Sequence, residues 1–238
     1  MLWEILKAGR TNKSSDLFTR LAARRISVSK RGYIVLPHDT GAFNATAKGN
    51  NIIWEYNGER IQGETCAFNI TNDYSTVRIA FDEALEKLEI KNNNALKADL
   101  SDLGGKITNT LRLDNCTKIT GDLADLGGKI TNTLRLGNCT NITGDLADLG
   151  GKITNYLSLS NCTNISGVYS GNAYPTSINL SYTGVSAEEM DQNLINLNEN
   201  MNKKGMFTVS GMKRTAASDA AVAGLIAKGW TITGLTKV

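Results

Sequence analysis

The sequence predicts an α/β fold built as a stack of repeats. A parallel β-sheet lines one face and short helices or turns the other, with an N-terminal helix and a small antiparallel β cap in front. Three observations carry this expectation. LRLDNCTKITGDLADLGGKITNT over 111–133 is followed at once by LRLGNCTNITGDLADLGGKITNY over 134–156, two blocks of 23 residues that differ only at 114/137, 118/141 and 133/156. The same phase extends backwards to Leu88 and Ile90 and forwards to Leu157 and Leu159. Residues 31–82, in contrast, break into short β-like runs separated by turn residues. Three parts follow: a helical docking segment (1–30), a β-rich cap (31–84) and the stack (85–238), with longer helical units and a C-terminal cap from about 180.

In SDLFTRLAARRIS, residues 15–27, Leu17, Phe18, Leu21, Ala22 and Ile26 share one helical face, and Arg20, Arg24 and Arg25 take the other. Ser15 is the expected N-cap. Leu17, Phe18, Leu21, Arg24 and Arg25 are candidate docking residues for a larger assembly. From Arg31 the runs GYIVL, AFNATA, NIIWEY, CAFNI and STVRIAF are split by DTG, GNN, NGE and TND. Asn57-Gly58 is the strongest hairpin signal. A β unit here would cover the apolar edge that the first repeat otherwise exposes.

Within one repeat, Leu134 and Leu136 alternate as strand residues do, placing Thr133, Arg135 and Gly137 on the opposite face. Strands of successive repeats are expected to pair in parallel. Cys139 and Ile142 fill the turn that follows, and Gly144 gives the chain freedom to leave it. Asp145–Leu149 allows about one helical turn, capped by Asp145 and stopped by Gly150-Gly151, and Ile153 returns the chain to the core. The first unit starts near Leu88, with Asn93 at the cysteine position and Leu96 at the isoleucine position. After LSLSNCTNISG the pattern loosens into VYSGNAYPTS before INLSYTG at Ile178. Two longer units close the chain. SAEEMDQNLINLNENMNKKG has a Ser186/Glu189 capping box, apolar Met190, Leu194, Leu197 and Met201 at helical spacing, and Gly205 as its stop. MFTVSG, SDAAVAGLIAKG and WTITGL then read as strand, helix ending at Gly229, and strand.

The pattern LxLxxCxxITGxL, at 111–123 and 134–146 and loosely at 157, resembles the cysteine-containing leucine-rich repeats, where cysteine replaces the usual asparagine; Asn93 matches the usual form. The resemblance covers 88 to about 179. It implies a leucine-rich-repeat solenoid. The closing TAASDAAVAGLIAKGWTITG, the strand–helix unit before it and the short β unit in front resemble repeat proteins of gut bacteria and their tailed phages. That implies a non-enzymatic virion component, such as a tail, fibre or head-decoration protein, assembled in the host cytoplasm. Its partners would be other virion proteins or a host-surface protein or glycan, with self-association left open. The alternative it implies is an adhesin or scaffold on the bacterial cell surface.

Composition narrows the function classes. The net charge is +3, and residues 1–31 alone carry +6 (eight Lys/Arg against Glu4 and Asp16), so the remainder sums to −3. That balance does not suit a nucleic-acid binder. Two prolines and 41% apolar residues argue against disorder, and no stretch approaches a membrane span. Glu4 and Lys7 interrupt MLWEILKAGRTNK, so the start does not read as a secretory signal. Cys116, Cys139 and Cys162, 23 apart, are expected as a ladder of buried free thiols, since parallel equivalent side chains do not meet the torsion of a disulfide.

No residues read as catalytic, and no cofactor is expected. Gly128-Lys129 lacks the hydroxyl and first glycine of a phosphate loop. The single histidine, His38, is expected in a loop of the β unit. The columns Asp99/Asp122/Asp145 and Asp102/Asp125/Asp148 raise a calcium site, but the first is expected to cap helices, so no metal site is assigned. Asparagines of the glycosylation pattern at 115, 138, 141, 161 and 164 read as turn chemistry. The outward strand face aligns Glu89, Arg112, Arg135, Ser158 and Ser181 in one column and Thr110, Thr133 and Tyr156 in the next. Arg112, Arg135, Thr110, Thr133 and Tyr156 are the candidate binding face, suited to an anionic sugar or a protein.

Overall fold

The computed structural model describes residues 31–238. The expected docking helix, with Leu17, Phe18, Leu21, Arg24 and Arg25, lies outside the described residues. An α/β architecture is observed, dominated by one mixed, mostly parallel sheet with few helices.

Strands β1 (Arg31–His38), β2 (Gly41–Tyr56), β3 (Glu59–Gln62), β4 (Thr65–Ile70) and β5 (Ser75–Glu89) form the antiparallel part. Alternation of apolar and polar residues buries Ile34, Leu36, Phe43, Trp54, Phe68, Val77, Ile79 and Phe81 on one face. Asn57-Gly58 makes the two-residue turn between β2 and β3, with φ of 47° and 82° and Tyr56 opposite Glu59. AFNATA and NIIWEY, expected as separate runs, are one strand. The GNN between them is an irregularity inside β2, where Asn51 has φ 52° and the register to β5 shifts.

β5 joins the two parts. β2 pairs antiparallel with it along both halves; on its other edge β1 pairs antiparallel with the first half and β6 (Ile107–Arg112) in parallel with the last residues, Leu88 lying beside Leu111. Glu83, at φ 65°, marks the shift. The expected boundary at 84/85 therefore falls within a strand, and the sheet continues across it.

β7 (Thr133–Arg135), β9 (Tyr156–Ser158), β11 (Ser177–Asn179), β12 (Met206–Arg214) and β13 (Thr231–Lys237) extend the sheet in parallel, in the order β5-β6-β7-β9-β11-β12-β13. The pairs β8 (Gly144–Asp145) and β10 (Ile165–Ser166) make a small second ladder on the far side. Leu111, Leu134, Leu157, Ile178 and Phe207 stack inward, none more than 7% exposed. Full burial of each such side chain contributes roughly 1.5–3 kcal/mol, available only because a neighbour covers it.

Opposite the strands lie α1 (Leu100–Leu103) and 3-10 turns at Leu123–Leu126 and Leu146–Leu149. Asp99, Asp122 and Asp145 cap them by accepting from the amides of Ser101, Ala124 and Ala147 at 3.0, 2.9 and 2.8 Å. α2 (Ala187–Asn200) begins with the Ser186/Glu189 capping box and buries Met190, Leu194 and Leu197; α3 spans Asp219–Ala227. α2 stops at Asn200, not at Gly205. Gly205 serves close approach instead, since a Cβ there would collide with the Thr176 carbonyl and the Trp230 ring.

The turns repeat as a ladder. Asn92, Asn115, Asn138 and Asn161 all adopt φ of 55–64°. The amides of Asn115, Asn138 and Asn161 each donate to the side-chain oxygen of the asparagine one unit earlier. Cys116, Cys139 and Cys162 are free, fully buried, and donate Sγ–H to the carbonyls of Ile90, Leu113 and Leu136 at 3.5, 3.1 and 3.1 Å. Burial pushes the Cys116 and Cys162 thiols up to about 11 and about 12. His38 is not a loop residue. It ends β1 with its ring fully buried, Nε2 3.0 Å from the Asn93 side-chain oxygen and edge-on to Phe43.

Candidate functional site

The outward face of the parallel strands brings the sequence-predicted residues together. Register places Thr110, Thr133, Tyr156, Ser177, Met206 and Thr231 in one row, and Glu89, Arg112, Arg135, Ser158, Asn179 and Thr208 in the next. Asn179, not Ser181, follows Ser158. Leu157 pairs with Ile178, so this unit is 21 residues long, two short of the regular period. Ser181 sits two residues further along, 6% exposed, accepting from the Ser210 amide at 3.0 Å.

The arginines are not free cations. Arg112 reaches Glu89 at 3.3 Å and Asp114 at 3.5 Å, and Arg135 reaches Asp114 at 3.1 Å. Lys87 also pairs with Glu89, at 3.1 Å. Burial opposes ionisation of Glu89, but Lys87 and Arg112 outweigh it and hold the carboxyl below its usual range. Lys87, Arg112 and Arg135 against Glu89 and Asp114 leave a sum of +1. Such a patch is ordered and almost neutral, which weakens its call on an anion.

The Arg135 guanidinium also lies over the Tyr156 ring, 4.9 Å from its centroid, fixing an aromatic surface beside the ion-pair chain. Thr133 is only 8% exposed, so of the two threonines Thr110 offers more to a ligand. Asp114, which organises both arginines at 9% exposure, was not singled out from the sequence. A signal was present: 114/137 is one of three positions at which the near-identical blocks differ.

The aspartate columns are occupied internally. Asp99 and Asp122 accept from the hydroxyls of Thr120 and Thr143 as well as from capped amides, and Asp125 and Asp148 accept from the amides of Asp122 and Asp145. Among the described residues no group of three His, Cys, Asp or Glu side chains converges as a metal would need. No described helix is long and apolar enough to cross a membrane. Compared with protein-family models, curated proteins and solved structures, the chain matches none.

Proposed function

We propose that the chain is a non-enzymatic structural and interaction protein, a leucine-rich-repeat solenoid of the cysteine-containing type, whose outward strand face meets a protein or a glycan. The observation that carries this reading is the in-register parallel pairing of strands at the 23-residue period, with Leu111, Leu134 and Leu157 in one column. That arrangement yields a broad, preorganised outer surface, the kind stacked repeats use for binding. The cysteine column supports the family reading: each thiol fills a turn and hydrogen-bonds a carbonyl of the preceding unit.

In its fuller form the chain is a component of a tailed-phage virion, with residues 1–30 as the docking segment and the stack as the displayed part. This form rests on the sequence resemblance of the ends. Particles assembled with a chain lacking residues 1–30 test it. The truncated chain is expected to remain folded, with a cooperative unfolding transition, and to be missing from purified particles; full incorporation overturns the docking role. Removal of the full-length chain from intact bacteria by added protease would assign it to the cell surface instead.

A further inference from the structure

Beside the ion-paired patch, on the same side of the sheet, lies a groove of about 450 Å³ lined by Thr176, Ser177, Lys204, Met206 and Thr231. It opens at the N-terminal ends of β11, β12 and β13, where the unequal middles of the last units return to the sheet, with Gly205 and Gly229 in its wall. Its volume falls within the range of small-molecule clefts, about 300–1,000 Å³.

We propose that this groove binds a saccharide bearing a carboxylate. The inference rests on the reading of the strand side as the contact face and names its ligand class. Lys87, Arg112 and Arg135 are each ion-paired with a carboxylate, whereas Lys204 has no ion-pair partner among the described residues. It is the cation of the groove. The hydroxyls of Ser177 and Thr231 have no partner among the described residues, and Thr176 donates to the Asn155 carbonyl at 3.3 Å with lone pairs left to accept. Met206, 48% exposed, gives an apolar surface for the C–H face of a sugar ring, and Tyr156 stands beside Ser177 on the neighbouring strand. One cation, several hydroxyls and one apolar platform match a ring that carries one carboxylate and many hydroxyls. A phosphate is a poorer match. The amides of Ser177, Met206 and Thr231 are already bonded to the carbonyls of Asn155, Thr176 and Gly205, leaving no nest of N–H groups to wrap it.

Saturation-transfer NMR on the full chain with D-glucuronate and with D-glucose tests the proposal. D-glucuronate is expected to bind, with affinity falling about tenfold in Lys204→Gln and returning in Lys204→Arg, and weaker again in Met206→Ala. D-glucose is expected to bind more weakly and to be indifferent to Lys204. Absence of glucuronate binding, or equal binding by wild type and Lys204→Gln, overturns the groove assignment. Loss of glucuronate binding in Arg135→Ala with Lys204→Gln unchanged would also overturn it, while leaving the outer face as a contact surface. The incorporation experiment is untouched by any of these results, so the two readings fail separately.

Discussion

The antiparallel cap and the parallel stack share one sheet yet hold together differently. In the cap, long strands alternate around an aromatic cluster, with Phe43 edge-on to both His38 and Trp54 and Tyr56 tilted on Phe68. In the stack, strands as short as three residues carry columns of leucine and isoleucine, and the turns are stitched by asparagine, cysteine and threonine side chains bonding one unit back. The cap is thus specified by particular shapes, the stack by repetition. β5 belongs to both. Its edge is the one on which β6, the first strand of the parallel series, pairs.

The largest expected effects test that sharing. Leu134→Ala, deep in the stack, and Phe81→Ala, in the cap half of β5, each remove a fully buried side chain and should cost about 2–5 kcal/mol. Both are expected to shift one common denaturant transition, followed by circular dichroism and tryptophan fluorescence. Two separated transitions, each responding to one variant only, would show that β5 does not couple the parts.

Raising the pH should act chiefly on the stack, which carries three of the four cysteines. Desolvation lifts Cys66 and Cys162 to about 12 and Cys116 to about 11, and lifts Cys139 also. The unfolded chain loses these protons at the ordinary thiol value, about 8.5, while the folded chain keeps them. Stability is therefore fully present below that value and is lost as pH rises towards the folded values. Urea midpoints at pH 7.5 and 10.5 should show the fall, and Cys139→Ala should lessen it. At neutral pH a thiol reagent should react only as fast as the protein unfolds.

At the acid end the junction responds. Asp39, in the turn after β1, receives Lys97 at 2.6 Å and Lys118 at 2.9 Å, from the first and second units. Hydrogen bonds from these lysines lower its carboxyl to about 2. Its folded value lies below the unfolded one, so its contribution is present above the ordinary carboxylate range and disappears as pH falls through about 2. Asp39→Asn should lower the unfolding midpoint at pH 7 and lower it much less at pH 2, where the folded carboxyl is half protonated. An equal drop at both would mean that the charge plays no part.

The stack was largely legible in the sequence, down to the capping aspartates and buried thiols, because each unit packs against a near-copy and the required residue types recur in phase. The cap was legible as antiparallel β, and its hairpin as Asn57-Gly58, since both rest on local pattern. What escaped depends on contacts between distant residues. Nothing near His38 announces that Asn93 awaits it. GNN reads as a turn unless β5 is known to run past it. The exposed arginines read as a basic patch until Asp114 is placed between them by the stacking. The groove at Lys204 lies where units of unequal length return to the sheet, and no repeat pattern places Lys204 beside Ser177 and Thr231.

The smallest effect sharpens the comparison most directly, because the same backbone conformation occurs in both parts. Asn57 in the cap hairpin and Asn138 in the stack have φ of 47° and 64°. Asn57 makes no side-chain hydrogen bond among the described residues, whereas the Asn138 amide donates to Asn115 and its oxygen accepts from Asn161 at 2.7 Å. Glycine adopts this conformation without strain, so Asn57→Gly should change stability by no more than about 0.5 kcal/mol. Asn138→Gly keeps the backbone but interrupts the ladder, and should cost about 1–2 kcal/mol. Asn138→Ala adds the strain of an ordinary Cβ at positive φ and should cost about 1 kcal/mol more. Equal effects at Asn57 and Asn138 in chemical denaturation would mean that the asparagines of the stack are kept for their backbone conformation alone, and that the units are held by their apolar columns without the ladder.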